Sequence, residues 1–214
     1  MAVFRPSGGP LGQPEKIGVS DQFAGQRPTV PVVAMDRDGN ALALWRRIED
    51  GQHSRIQSSF RPAGGDWSAV DQLTPADENV TAPSIGVDAA GNFTALWLNG
   101  FAVAIVQAVR RPAGGTFGAP QTISDPGAAR AALGVGPGDD AVAAMVIERQ
   151  TGDFLEVASR PAGSTFGAPQ QVSPDGSDAD VPRAAVAADG SALGVWTQAP
   201  VTGFGQILAA FSRL

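Results

Sequence analysis

The stretch Val32-Val33-Ala34-Met35-Asp36-Arg37-Asp38-Gly39-Asn40-Ala41-Leu42-Ala43-Leu44-Trp45 returns as Ser84-Ile85-Gly86-Val87-Asp88-Ala89-Ala90-Gly91-Asn92-Phe93-Thr94-Ala95-Leu96-Trp97. A worn copy runs from Ala132 through Asp140 to Met145, and a fourth from Ala184 to Trp196 keeps Asp189-Gly190-Ser191 at its centre. Each copy is two short apolar runs about a glycine-bearing turn, which is the pattern of a tight hairpin. A second marker recurs out of phase with the first: Arg5-Pro6-Ser7-Gly8-Gly9, Arg61-Pro62-Ala63-Gly64-Gly65, Arg111-Pro112-Ala113-Gly114-Gly115 and Arg160-Pro161-Ala162-Gly163-Ser164. Recurrence at about 50 residues is the signature of stacked or radially arranged supersecondary units.

Within each unit four strand-like runs follow one another. In the first they are Pro31–Asp36, Asn40–Arg47, Ser54–Arg61 and Trp67–Thr74, here termed A, B, C and D. The runs are short and rich in Val, Ile, Leu and Ala, and none sustains a helical period. Pro31, Pro83 and Pro182 stand at the start of A, and Pro14, Pro120 and Pro169 at or near the start of D, while B and C have none. Proline cannot donate to a ladder and is confined to edges, strand starts and bulges. A and D are therefore edges, B and C are central, and each unit is a four-stranded antiparallel meander. Four such sheets about an axis make an all-β, four-bladed β-propeller occupying residues 1–214 as a single domain. Arg5 and Arg213 read as the same phase of the repeat. That predicts that the N-terminal run Glu15–Ser20 completes the last blade beside Gln206–Arg213. A closed ring favours a monomer; half of an eight-bladed, two-chain ring and a fragment of a longer array are the alternatives.

The string Pro31, Val33-Ala34-Met35-Asp36, Gly39-Asn40-Ala41-Leu42 and then Arg55-Ile56-Gln57 resembles the NHL-type propeller repeat. The likeness fades in the later units, where Ile105-Val106 and Phe154-Leu155 replace the Arg-Ile pair. The resemblance implies propeller architecture and is silent about ligand. The count of four blades is similar to hemopexin-like domains, although those usually join first and last blades by a disulfide and this chain has no Cys.

Composition removes several classes of function. The net charge of -6 offers no basic field to nucleic acid or an anionic membrane. Absence of Cys excludes thiolate catalysis and Cys-ligated metal centres. Absence of Tyr excludes glycosidase chemistry through a tyrosine nucleophile. His53 is the only histidine, so no histidine cluster exists. No apolar run is long enough to cross a bilayer, and Met1–Pro6 has neither the charged nor the apolar region of a signal peptide. Compartment is left open.

Propeller connectivity puts the D-to-A and B-to-C loops on one face. The D-to-A loops are Asp21–Arg27, Pro75–Val80, Asp125–Arg130 and Pro174–Val181; the B-to-C loops are Ile48–His53, Asn99–Gly100, Glu148–Asp153 and Ala199–Phe204. These vary from unit to unit while the opposite turns repeat, so this face is the expected ligand face. Its candidate residues are the acids Asp21, Asp77, Glu78, Asp125, Asp175 and Asp178, the arginines Arg27, Arg130 and Arg183, and the spare aromatics Phe101 and Phe204. Acids ringed about a channel mouth suit a hard cation such as Ca2+, or they serve only as turn formers. No cofactor is otherwise implied. The reading is a non-enzymatic binding or scaffold module whose ligand, a glycan or a protein, is unassigned. The alternatives are a carbohydrate-active hydrolase or lyase using loop carboxylates, and an excised or engineered repeat array without a ligand.

Overall fold

A computed structural model describes residues 1–18, 26–175, 177–200 and 205–213. The protein is all-β. Blade 1 comprises β1 (Arg27–Met35), β2 (Ala41–Ile48), β3 (Ser54–Arg61) and β4 (Asp71–Gln72). Blade 2 comprises β5 (Val80–Val87), β6 (Phe93–Asn99), β7 (Ile105–Arg111) and β8 (Gln121–Thr122), and blade 3 comprises β9 (Ala128–Val135), β10 (Ala141–Arg149), β11 (Gly152–Arg160) and β12 (Gln170–Gln171). Blade 4 has β13 (Ser177–Val186), β14 (Ser191–Pro200) and β15 (Gln206–Arg213). Each sheet is an antiparallel meander in chain order. The inner strands pack in succession, β1 on β5, β5 on β9 and β9 on β13.

The repeated turn is held by side chains. Asp36 is buried, and its Oδ1 accepts the N–H groups of Asp38 and Asn40 at 3.0 and 2.9 Å; Asp88 does the same for Ala90 and Asn92 at 2.9 and 2.8 Å. The side chain at the end of the turn then reaches the Arg-Pro turn of its own blade. Asn40, Asn92 and Asp140 accept the N–H of Ala63, Ala113 and Ala162 at 2.9, 3.0 and 3.0 Å. Both repeated sequence markers thus build one device that fastens the A–B turn to the C–D turn.

Strand β2 and its equivalents carry the core. Trp45, Trp97 and Trp196 are buried, and each indole N–H donates to a glutamine, Gln57 at 2.8 Å, Gln107 at 3.1 Å and Gln198 at 2.7 Å. A buried indole needs such an acceptor. In blade 3 Met145 stands in the tryptophan's place and makes no such demand. Its cross-strand neighbour Glu156, where blades 1 and 2 place Gln57 and Gln107, is bound instead by Arg149.

The marker arginines join blade to blade. Arg61 lies over the ring of Phe4 and Arg111 over Phe60, 4.3 and 3.9 Å from the centroids. Phe4 and Phe60 each precede the previous marker's arginine, so one contact is made twice. At the third junction that aromatic is Arg110, a second cation. Asp139 replaces the turn glycine there at φ 75°, where Gly39 and Gly91 have φ 91° and 84°. It binds Arg110 at 2.9 Å and Arg160 at 2.7 Å. Arg160 also donates to Thr94 Oγ1 at 2.9 Å. The two departures from the repeat pair with each other.

Three expectations are corrected. The A strands do not begin at proline: β1, β5 and β13 run through Pro31, Pro83 and Pro182 by a bulge, with Val30, Ala82 and Val181 at φ 49°, 49° and 48°. A bulge is a place where a missing N–H is tolerated. The D strands are only two residues long. Glu15 bridges Ala2, and Val19 and Ser20 of the run expected to close blade 4 lie outside the described residues. Gly12 N–H donates to Phe4 O as Gly118 does to Arg110 O. The hairpin register also puts Ser212, not Arg213, opposite Ala192 as Arg61 stands opposite Ala41.

Candidate functional site

Loop-face side chains gather at two junctions. Between blades 1 and 2, the Asp50 carboxylate caps its own loop, accepting the N–H groups of Gln52 and His53 at 2.8 and 2.7 Å and contacting His53 Nδ1 at 2.8 Å. Those hydrogen bonds, that from the His53 ring first, hold the Asp50 carboxyl down at about 2. The same contact pushes the His53 imidazole up, and Asp77 adds to it. Beside Asp77, Glu78 is half-buried and its carboxyl is pushed up by desolvation, opposed by Asn99. Behind them Glu49 is ion-paired to Arg47 at 3.1 Å and Arg55 at 2.5 Å.

The second gathering lies between blades 3 and 4. The expected loop Glu148–Asp153 is a two-residue hairpin instead, with Glu148 opposite Asp153 and Arg149 opposite Gly152. Like charges across a ladder destabilise. From blade 4, Asp178 Oδ1 accepts the Asp153 N–H at 3.3 Å, and Asp180 pairs with Arg130 at 2.9 Å. Burial pushes the Asp153 carboxyl up. Glu148 and Asp178 push it further, Arg130 opposes, and Asp180 adds a smaller push. The site therefore holds one carboxyl that keeps its proton to higher pH than usual, beside further carboxylates and a cation. General acid–base catalysis calls for a carboxyl of raised pKa close to a second carboxylate.

The candidates named from sequence do not form one ring. Asp178 and Arg130 meet at the second junction, and Asp77 and Glu78 at the first. Asp125 is exposed, its carbonyl accepting Ser124 Oγ–H at 2.8 Å. Asp175 is exposed and accepts Gln171 Nε2–H at 2.8 Å. Arg27 is exposed at the start of β1, and Arg183 turns back to donate to Pro182 O at 2.8 Å. Phe101 is 90% exposed. Asp21 and Phe204 lie outside the described residues. Among the described residues no group of three or more His, Asp or Glu side chains is placed to hold a metal ion. Sequence reading passed over Asp153 and Glu148 as site residues. Their one signal was membership of a variable B-to-C loop.

No family model matches the chain, and no curated protein matches it in sequence. Solved structures do resemble it. A Hadza microbial sialidase, Hz136, superposes with a TM-score of 0.57 at 14% identity, over 86% of this chain and 44% of that one. An endo-arabinase from Bacteroides thetaiotaomicron does so at 0.55 and 14%, over 93% and 80%. A GH93 α-L-arabinofuranosidase of Fusarium graminearum, in complex with arabinobiose, does so at 0.52 and 11%, over 91% and 65%. The chain thus spans less than half of the sialidase. The fold these comparisons define is the β-propeller. The three structures just described are named as carbohydrate-active enzymes, which goes against the expectation of a non-enzymatic binding or scaffold module.

Proposed function

We propose that the protein hydrolyses glycosidic bonds in a carbohydrate substrate at the junction of blades 3 and 4. The observation that carries this reading is the meeting of Asp153 with acids of the neighbouring blade, where Asp178 Oδ1 accepts the Asp153 backbone N–H and burial, Asp178 and Asp180 push the Asp153 carboxyl up. Glycoside hydrolysis needs one carboxylic acid to protonate the departing oxygen and one carboxylate to act as base or nucleophile. Asp153 suits the first role, and Asp178 suits the second because Asp180 is engaged by Arg130. Phe101 offers an exposed aromatic surface on the same loop face, of the kind sugars stack upon. Fold likeness to an endo-arabinase and an arabinofuranosidase makes arabinose-containing oligosaccharides the first substrates to try. Without Tyr, the chain has no route through a tyrosine nucleophile. The NHL-type likeness of the first repeat is carried here as a likeness of blade-building turns alone, and the blade count as no more than a similarity to hemopexin-like domains.

The test is reducing-sugar release from a panel of arabinans and other plant and host glycans, for the parent and for Asp153→Asn. The parent should act on at least one glycan, with a rate that falls as pH rises through the elevated Asp153 value. Asp153→Asn should remove that activity and leave the thermal melt in place. Silence on the whole panel, or an Asp153→Asn variant as active as the parent, overturns the reading.

A further inference from the structure

The run Thr116-Phe117-Gly118-Ala119-Pro120 of blade 2 repeats in blade 3 as Thr165-Phe166-Gly167-Ala168-Pro169. Where blade 3 meets blade 2, Gln121 of β8 reaches across to the backbone of Phe166. Its Nε2 donates to Phe166 O at 2.7 Å, and its Oε1 accepts the Phe166 N–H at 3.0 Å. One carboxamide thus satisfies both polar groups of an extended residue, which point the same way.

Where blade 2 meets blade 1, the place of Gln121 is taken by Asp71. The register fixes the equivalence. Asp71 lies opposite Ser58 and Gln121 opposite Ala108, while Ser58 and Ala108 lie opposite Leu44 and Leu96 in turn. Asp71 is a methylene shorter than glutamine, and an ionised carboxylate accepts hydrogen bonds but cannot donate. Among the described residues neither the N–H nor the C=O of Phe117 has a hydrogen-bond partner. In place of the Gln121 contact there is a groove of about 250 Å³, lined by Asp71, Gln72, Leu73, Val109, Thr116 and Phe117. Leu73, Phe117 and Val109 belong to the apolar packing between the two blades, so the floor of the groove is apolar. Its rim carries a carboxylate, a carboxamide and a hydroxyl. Gln72 Oε1 is held by Arg55 at 3.2 Å and Gln57 at 3.0 Å, which leaves Gln72 Nε2 to donate outward.

We propose that this groove binds a neutral sugar ring through two neighbouring hydroxyls, which take the place that the Gln121 carboxamide holds at the next junction. A hydroxyl both donates and accepts. A vicinal pair therefore offers one oxygen to the Phe117 N–H and one O–H to the Phe117 C=O. Further hydroxyls meet the Asp71 carboxylate as donors and Gln72 Nε2 as acceptors, and the C–H face of the ring lies on Leu73 and Val109. Asp71 repels an anionic sugar. The site performs no chemistry and lies at a different blade junction from Asp153. It rests on the hydrolytic reading only for the kind of ligand, a glycan, which it would hold on the protein surface.

The experiment is an NMR titration of the isotope-labelled full chain with cellotriose, mannotriose and arabinotriose, each beside its permethylated form. At least one free trisaccharide should shift the Phe117 amide, and its permethylated form should not. Asp71→Gln is a change at an exposed position that supplies the carboxamide used at the next junction. It should close the groove and weaken binding by about tenfold or more, as expected for two lost hydrogen bonds, with the melting temperature kept or raised. Asp153→Asn should bind the same sugar as tightly as the parent. A chain that binds at Phe117 yet releases no sugar from any glycan overturns the hydrolytic reading alone and supports this one. The proposal is overturned by a Phe117 amide that no trisaccharide moves, by equal shifts from the permethylated forms, or by an Asp71→Gln variant that binds as tightly as the parent.

Discussion

Replacing Asp139 by Gly is the most informative single change to the fold. The substitution restores the glycine that the three other turns use, at Gly39, Gly91 and Gly190, and relieves a left-handed backbone, a gain of about 1–2 kcal/mol. It also leaves Arg110 and Arg160 facing each other without their shared carboxylate. The side chains of Arg160 and Asp139 are 3% and 9% exposed, so little solvent is present to screen the loss. Breaking a buried pair by removing one partner costs about 3–5 kcal/mol. The Arg110 contact adds less, because that side chain is 32% exposed. The net expectation is a loss of about 2–3 kcal/mol, which for a protein of this size lowers the melting temperature by roughly 5–10 °C. The double variant Asp139→Gly/Arg110→Phe should recover most of it. It removes the surplus cation and returns the third junction to the arginine-over-aromatic contact of the first two. Differential scanning calorimetry of the parent and both variants checks this. An Asp139→Gly protein as stable as the parent, or a double variant no better than the single one, refutes the coupling.

Other outcomes are expected. His53 should titrate above its ordinary value when followed by NMR, and Asp50→Asn should return it toward that value, since the Asp50 contact is the first cause of the rise. Any stability from that pair is present while His53 is protonated and Asp50 ionised. It is lost as pH rises through the raised histidine value, and again as pH falls through about 2. Asn40→Ala removes the bonds to Asp36 and Ala63 and should destabilise blade 1 by about 1–2 kcal/mol in urea unfolding. Trp97→Ala empties a fully buried site and should cost about 3–5 kcal/mol, enough to show as a large drop in denaturation midpoint.

The architecture was legible because its information is repeated. Asp36, Gly39 and Asn40 mark a turn, and finding them again at Asp88, Gly91 and Asn92 shows that the turn is structural. The strand ends were less legible. Pro31 reads as the start of a strand because proline lacks an N–H, yet the bulge after Thr29 absorbs that lack and lets β1 begin at Arg27. The pairing of Arg110 with Asp139 was invisible, since it depends on two blades meeting and the residues are far apart in the chain. The site was legible only to the level of a face. Asp77, Asp125, Asp175 and Asp178 are alike as turn acids, and only Asp178 comes to lie against Asp153. That meeting depends on how far the blade 3 hairpin extends, which no composition reports.

Packing of each sheet against its neighbours in the chain has a consequence for how such a chain changes over generations. A duplicated unit of about 50 residues, cut between two Arg-Pro turns, would enter with a leading and a trailing face already matched to its neighbours. Length can therefore vary by whole repeats without the invention of a new contact, and the pairing of Arg110 with Asp139 is the kind of local contact that lets individual copies differ while the array persists.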